Sequence, residues 1–133
     1  MKPLRLVATK DSPNVYFNPE TNIFEIQGVC YPENIQKFFS PIFEWIDEYF
    51  LEVKGNNLIN IKLNLKYQYL NSSSLKYLVE LMRKLKLFTE NGILIEIIWH
   101  YEENDYDMKD LGKELFEMSI IKFPYKLVSY TED

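Results

Sequence analysis

Three adjacent hydroxyls, Ser72, Ser73 and Ser74, follow Asn71 and precede Leu75 and Lys76. Hydroxyls in such a run have two chemical uses. Asn and Ser are preferred helix N-caps, because a side-chain oxygen accepts a hydrogen bond from an otherwise unpaired amide of the first turn. A serine hydroxyl facing solvent can instead accept a phosphoryl group, which adds roughly −1.5 to −2 charge. One residue can cap while its neighbour is modified, so the two readings are compatible.

The flanking residues say where this run must sit. Before it, apolar residues occupy every odd position from Ile59 to Tyr69 (Ile59, Ile61, Leu63, Leu65, Tyr67, Tyr69), with Asn60, Lys62, Asn64, Lys66 and Gln68 between them. That is the period of a half-buried strand. After it, Leu75, Leu78, Leu81, Met82, Leu85 and Phe88 recur at helical spacing. The serines are thus predicted at a strand-to-helix junction, where free amides and the helix dipole favour an anion.

The remaining reactive side chains form no recognisable catalytic set. Cys30 is the one cysteine and His100 the one histidine. A single cysteine allows no intramolecular disulfide and no multi-cysteine metal site, and after an apolar strand it reads as a small buried hydrophobe. A Cys30–His100 dyad has no third member in the sequence. No G-x-S-x-G turn is present, and with four glycines neither kind of Gly-rich phosphate loop is formed. The acidic run Glu102, Glu103, Asp105, Asp107, Asp110 fails as a calcium loop. With Asp105 at position one, Lys109 falls where an oxygen ligand is required and Asp110 where glycine is. Those charges read as solvated residues complementing a helix dipole, with a magnesium ion or a basic partner as the alternatives. No cofactor is implied.

At 133 residues, with 47% hydrophobic and 16% aromatic side chains, the chain is expected to be one domain spanning residues 1–133 around one aromatic-rich core. The net charge of −5 and pI of about 5.0 argue against nucleic acid or an anionic membrane as partner. Without a signal-like N-terminus or a run of about 18 apolar residues, a cytoplasmic location is expected.

The elements read in order as follows. Leu4 to Ala8 is a short strand or arm. Val15-Tyr16-Phe17 and Ile23 to Gln27 form a hairpin around Asn18-Pro19-Glu20-Thr21-Asn22, with Gly28 ending its second strand. Tyr31-Pro32-Glu33-Asn34 opens a helix with proline in its first turn. Ser40-Pro41 interrupts or kinks that helix, Ile42, Trp45, Ile46, Tyr49 and Phe50 continue its apolar stripe, and Lys54-Gly55-Asn56-Asn57 stops it. Gly92 ends the helix after the serines. Ile93 to Trp99 reads as a strand buried on both faces. Met108, Leu111, Leu115, Phe116 and Met118 mark a third helix, Tyr125 to Tyr130 a last strand, and Thr131 to Asp133 a loose end. The fold class is therefore α/β (a mixed, α+β-like sheet): an N-terminal β-hairpin, then alternating helices and strands, with the helices mainly on one face.

On Tyr31-Pro32-Glu33-Asn34, on Tyr69-Leu70-Asn71-Ser72-Ser73-Ser74-Leu75-Lys76, and on Trp99-His100-Tyr101-Glu102-Glu103 with Asp107-Met108, the chain resembles the SiaC family of bacterial regulatory phosphoproteins, whose fold is similar to STAS (anti-sigma-factor-antagonist) domains. The resemblance covers nearly the whole chain, and the Asn-Ser-Ser-Ser-x-Lys stretch is its most specific part. It implies a non-enzymatic partner switch. A dedicated protein kinase would phosphorylate the hydroxyl residue directly after the Asn, a PP2C-type phosphatase would remove the phosphate, and the unphosphorylated form would bind a target such as a diguanylate cyclase, in c-di-GMP and biofilm control. By motif position the phosphoacceptor is Ser72, with Ser73 the fallback. Ser72 stands where the family's best-known member has threonine. The implied partner surface is Tyr31, Pro32, Glu33, Asn34, Tyr69, Asn71, Ser72, Ser73, Ser74 and Lys76. The alternatives are a constitutive interaction module whose serines only cap, and a small enzyme using Cys30, His100 or the acidic cluster.

Overall fold

The structure, a computed structural model, describes residues 1–117 and 122–132. Met118 and Asp133 lie outside the described residues. The elements are β1 (Leu4–Leu6), β2 (Asn14–Asn18), β3 (Ile23–Cys30), α1 (Ile35–Val53), β4 (Asn60–Leu70), α2 (Ser72–Glu90), β5 (Leu94–Glu102), α3 (Tyr106–Glu117) and β6 (Tyr125–Tyr130). They build one six-stranded sheet in sequence order. β1, β2 and β3 pair antiparallel; β3 to β6 pair parallel.

Sequential order explains the layering. Each parallel step moves one strand in the same direction, and right-handed crossovers then place α1, α2 and α3 on the same side. Two inner rows cross the sheet: Phe17–Phe24–Leu63–Ile97 and Val15–Ile26–Leu65–Trp99, all buried. Phe39, Ile42, Trp45, Ile46 and Tyr49 of α1 and Leu78, Leu81, Met82, Leu85 and Phe88 of α2 close over them. Phe17 and Phe24 stack at 4.8 Å, and Trp45 and Tyr49 meet Phe24 edge-on at 5.3 Å. α3 approaches at Gly112, where a Cβ would lie 2.4 Å from the Trp99 ring. The Trp99 indole donates to the Met108 carbonyl at 3.0 Å, so that the buried N–H is satisfied.

The expected fold class holds, and the structure corrects several details. β5 is buried on one face only: Ile95, Ile97 and Trp99 point inward while Leu94 is 65% exposed, because among the described residues no crossover returns along the other face. β3 does not stop at Gly28. It runs through that residue (φ +129°) to Cys30, with a register shift between Gly28 and Val29. α1 starts at Ile35, after the Asn34 cap, so Pro32 precedes the helix and is not in its first turn. The helix then runs unbroken through Pro41, whose ring removes one intrahelical donor.

The alternation in β4 also ends earlier than its sequence suggests. Tyr67 pairs with Gly28, but Val29 pairs with Tyr69, leaving one extra β4 residue in the bulge. Past it the period shifts by one. Gln68 and Tyr69 both face solvent, and Leu70 turns inward.

Candidate functional site

β4 delivers the chain to Asn71, whose amide donates to the Cys30 carbonyl at 3.1 Å and so fastens the junction to the end of β3. Asn71 is extended (φ −85°, ψ 174°), and its Oδ1 accepts from the Ser74 amide at 2.9 Å. The cap is therefore an asparagine function. The Ser72 and Ser73 side chains are exposed, and neither makes a hydrogen bond among the described residues. Their amides open the helix, where no intrahelical acceptor exists. Ser74 is different. Its side chain is 1% exposed and faces inward, so of the serines expected at a partner surface it offers none of its side chain.

The electrostatics of this turn favour an anion. No acidic residue lies in the first turn of α2, and Lys76, one turn beyond Ser72, is exposed. The dipole and this lysine act in the same sense. Beside the turn, Tyr31 and Tyr69 meet edge-on at 5.8 Å while remaining 44% and 52% exposed. The Tyr31 hydroxyl donates to the Lys10 carbonyl at 3.0 Å, which fixes its ring. The β4 bulge is what turns Tyr69 outward. Of the other expected residues, Pro32 is half-buried, Glu33 is exposed, and Asn34 is engaged in capping α1 through the Lys37 amide at 3.0 Å.

These residues share the carboxyl edge of the parallel strands, the edge at which open α/β sheets bind ligands. Helices α1, α2 and α3 start there. Asp105 caps α3 by accepting from the Met108 amide at 3.0 Å, and the Glu102 carboxylate accepts from the Asn104 amide at 2.9 Å. That gives part of the acidic run a structural role. Among the described residues no group of three His, Cys, Asp or Glu could hold a metal ion. The structure does not bring Cys30 and His100 together. Cys30 is buried in the core, where burial raises its pKa above the usual thiol value, the Ser74 hydroxyl opposes that, and Asp11 adds to it. His100 is on the open face of the sheet, sharing a 2.9 Å hydrogen bond with Asn64. Burial and then Lys66 lower its pKa, against an opposing effect of Glu25. The dyad is excluded by geometry.

One feature escaped the sequence. α2 and α3 leave between them a groove of about 580 Å³, lined by Leu75, Tyr77, Val79, Leu111 and Leu115, with Lys76, Glu80, Arg83 and Glu114 also lining it. It begins one turn from Ser72. The half-buried Leu75, Val79 and Leu111 carried the signal, since each extends an apolar stripe beyond what the core uses.

Residues 6–128 match the family model described as SiaC family regulatory phosphoprotein. An uncharacterised protein of Pseudomonas aeruginosa (strain UCBPP-PA14) is 24% identical over 132 residues, which is 99% of this chain and 100% of that protein. The crystal structure of apo-SiaC from Pseudomonas aeruginosa superposes with a TM-score of 0.84 at 23% identity, covering 96% of this chain and 99% of that one. SiaC in the crystal structure of the diguanylate cyclase SiaD in complex with its activator SiaC, from the same organism, gives the same TM-score, identity and coverage. At that identity the structural likeness establishes the shared fold.

Proposed function

Because this chain belongs to the SiaC family of regulatory phosphoproteins, we propose that it is a non-enzymatic partner switch governed by phosphorylation of Ser72. A protein kinase adds the phosphate, a PP2C-type phosphatase removes it, and the unphosphorylated protein binds a cytoplasmic target such as a diguanylate cyclase. The observation that carries this reading is the division of labour at the start of α2. Asn71 does the capping, Ser74 is buried, and the Ser72 hydroxyl is left exposed. Capping alone leaves the exposed Ser72 hydroxyl without a role. The Pseudomonas relative in complex with a diguanylate cyclase supports the choice of target.

The switch follows from charge and desolvation. Within this protein a phosphate on Ser72 meets the amides of the first turn and Lys76, so the fold tolerates it. A partner packed over Tyr31, Tyr69 and the exposed side of α2 must instead strip water from a dianion. That costs several kcal/mol, enough to empty a micromolar complex. Tyr31 and Tyr69 supply large, half-exposed rings of the kind that anchor interfaces, with Glu33, Asn71, Ser73 and Lys76 around them.

Titration calorimetry against the host's own cyclase tests the scheme. Ser72→Ala should bind like the parent and Ser72→Asp at least tenfold more weakly, about 1.4 kcal/mol. Equal affinity of the Asp variant for every partner would remove Ser72 from the mechanism.

A further inference from the structure

Directly beneath the exposed serines lies a small buried polar cluster built from three elements. The side-chain oxygens of Tyr67, in β4, and Ser74, in α2, are buried, and neither makes a hydrogen bond of ordinary geometry. Both residues are 1% exposed. Both lie near Cys30, the last residue of β3: the Ser74 hydroxyl eases the ionisation of that thiol against burial, and the Tyr67 phenol's pKa is raised by burial and then by the charge a Cys30 thiolate would carry. The backbone agrees with this placement. Tyr67 pairs with Gly28, at the bulge, and Cys30 pairs with Leu70. The Cys30 carbonyl receives the Asn71 amide, and Asn71 in turn caps Ser74.

Two hydroxyls abandoned in a core would each cost about 1–3 kcal/mol, and a thiol is too weak a partner to offset that. Buried waters occur about once per 27 residues and typically join about three otherwise unpaired polar groups. We propose that Tyr67, Ser74 and Cys30 hold one internal water molecule, which ties the first turn of α2 to the sheet and fixes the height at which Ser72 and Ser73 are presented. The water accepts from the Tyr67 phenol, exchanges a hydrogen bond with the Ser74 hydroxyl, and directs its remaining hydrogen toward the Cys30 sulfur. The same site gives the third serine of the run a role at a position closed to solvent. It stands independently of whether Ser72 is phosphorylated.

The test combines a high-resolution crystal structure with urea unfolding of Ser74→Ala, Tyr67→Phe and the double variant. The structure should show one ordered water within about 3.2 Å of both hydroxyl oxygens. Each single substitution should lower the folding constant roughly five- to tenfold, and the double variant should lose less than the product of the two. A dry cluster, a single variant as stable as the parent, or losses that multiply independently would each overturn the proposal.

Discussion

The starts of α1 and α2 are built alike and differ in what they present. Each follows the carboxyl end of a parallel strand, and each is capped by an asparagine whose side chain accepts from the amide three residues on: Asn34 from Lys37 at 3.0 Å, Asn71 from Ser74 at 2.9 Å. Behind Asn34 come Ile35, half-buried, and Gln36; behind Asn71 come two exposed serines. The cap is thus a shared structural device. What separates the two sites is the chemistry at the first two helical positions and the exposed Tyr31–Tyr69 pair beside the second. Helix starts are common, and an anion-friendly amide row alone assigns nothing.

The comparison can be broken most forcefully by moving the charge. Ser72→Asp should weaken partner binding by tenfold or more, whereas Gln36→Asp, the same charge in the first turn of α1, should leave affinity within a factor of two, about 0.4 kcal/mol. If both variants lose binding equally, the interface is not centred on α2. Next in size are the caps. Asn34→Ala and Asn71→Ala should each cost about 1 kcal/mol in chemical denaturation; only Asn71→Ala should also change the rate at which kinase modifies the protein.

A smaller effect concerns the phosphate itself. Phosphorylated Ser72 should stabilise the isolated protein by on the order of 0.3–1 kcal/mol at low salt, and Lys76→Ala should reduce that gain. A phosphate that lowers the melting temperature would contradict the electrostatics assigned to this turn. The smallest effect lies away from both helix starts. His100 has a lowered pKa in the folded protein, so the unfolded chain takes up its proton first as pH falls. Stability should therefore be complete above pH ~6.5, the unfolded value, and decline as pH drops from there toward the folded-state pKa. His100→Gln should flatten that slope and leave partner binding unchanged.

Much of this was legible because local patterns and tertiary structure agree. The alternation of Ile61, Leu63, Leu65 and Tyr67 is the inner row of β4, and Asn71 caps α2 as its residue type suggests. The misses share a cause: they depend on contacts between distant segments. Gly28 looks like a strand end, yet it is the positive-φ side of a bulge whose effect falls on Tyr69. A glycine inside a strand pattern was the available hint. Ile93 to Trp99 looks buried on both faces because Leu94 and Ile98 are apolar, and only the single-sided crossovers reveal that they face outward. Ser74 is indistinguishable from Ser72 and Ser73 by type; helical geometry turns it inward. The groove between α2 and α3 needs both helices in place before it exists.

The proposed switch requires that the exposed serine after Asn71 carry a reversible phosphate. Tandem mass spectrometry on the protein purified from its own host, across growth conditions, reads this directly. Partial occupancy on Ser72, none on the buried Ser74, and conversion to the unmodified form by a PP2C-type phosphatase are the expected results. Phosphate confined to Ser73 would move the switch by one residue. Protein that is unmodified in every condition would rule out the phosphate switch and leave Ser72 as the first residue of a helix.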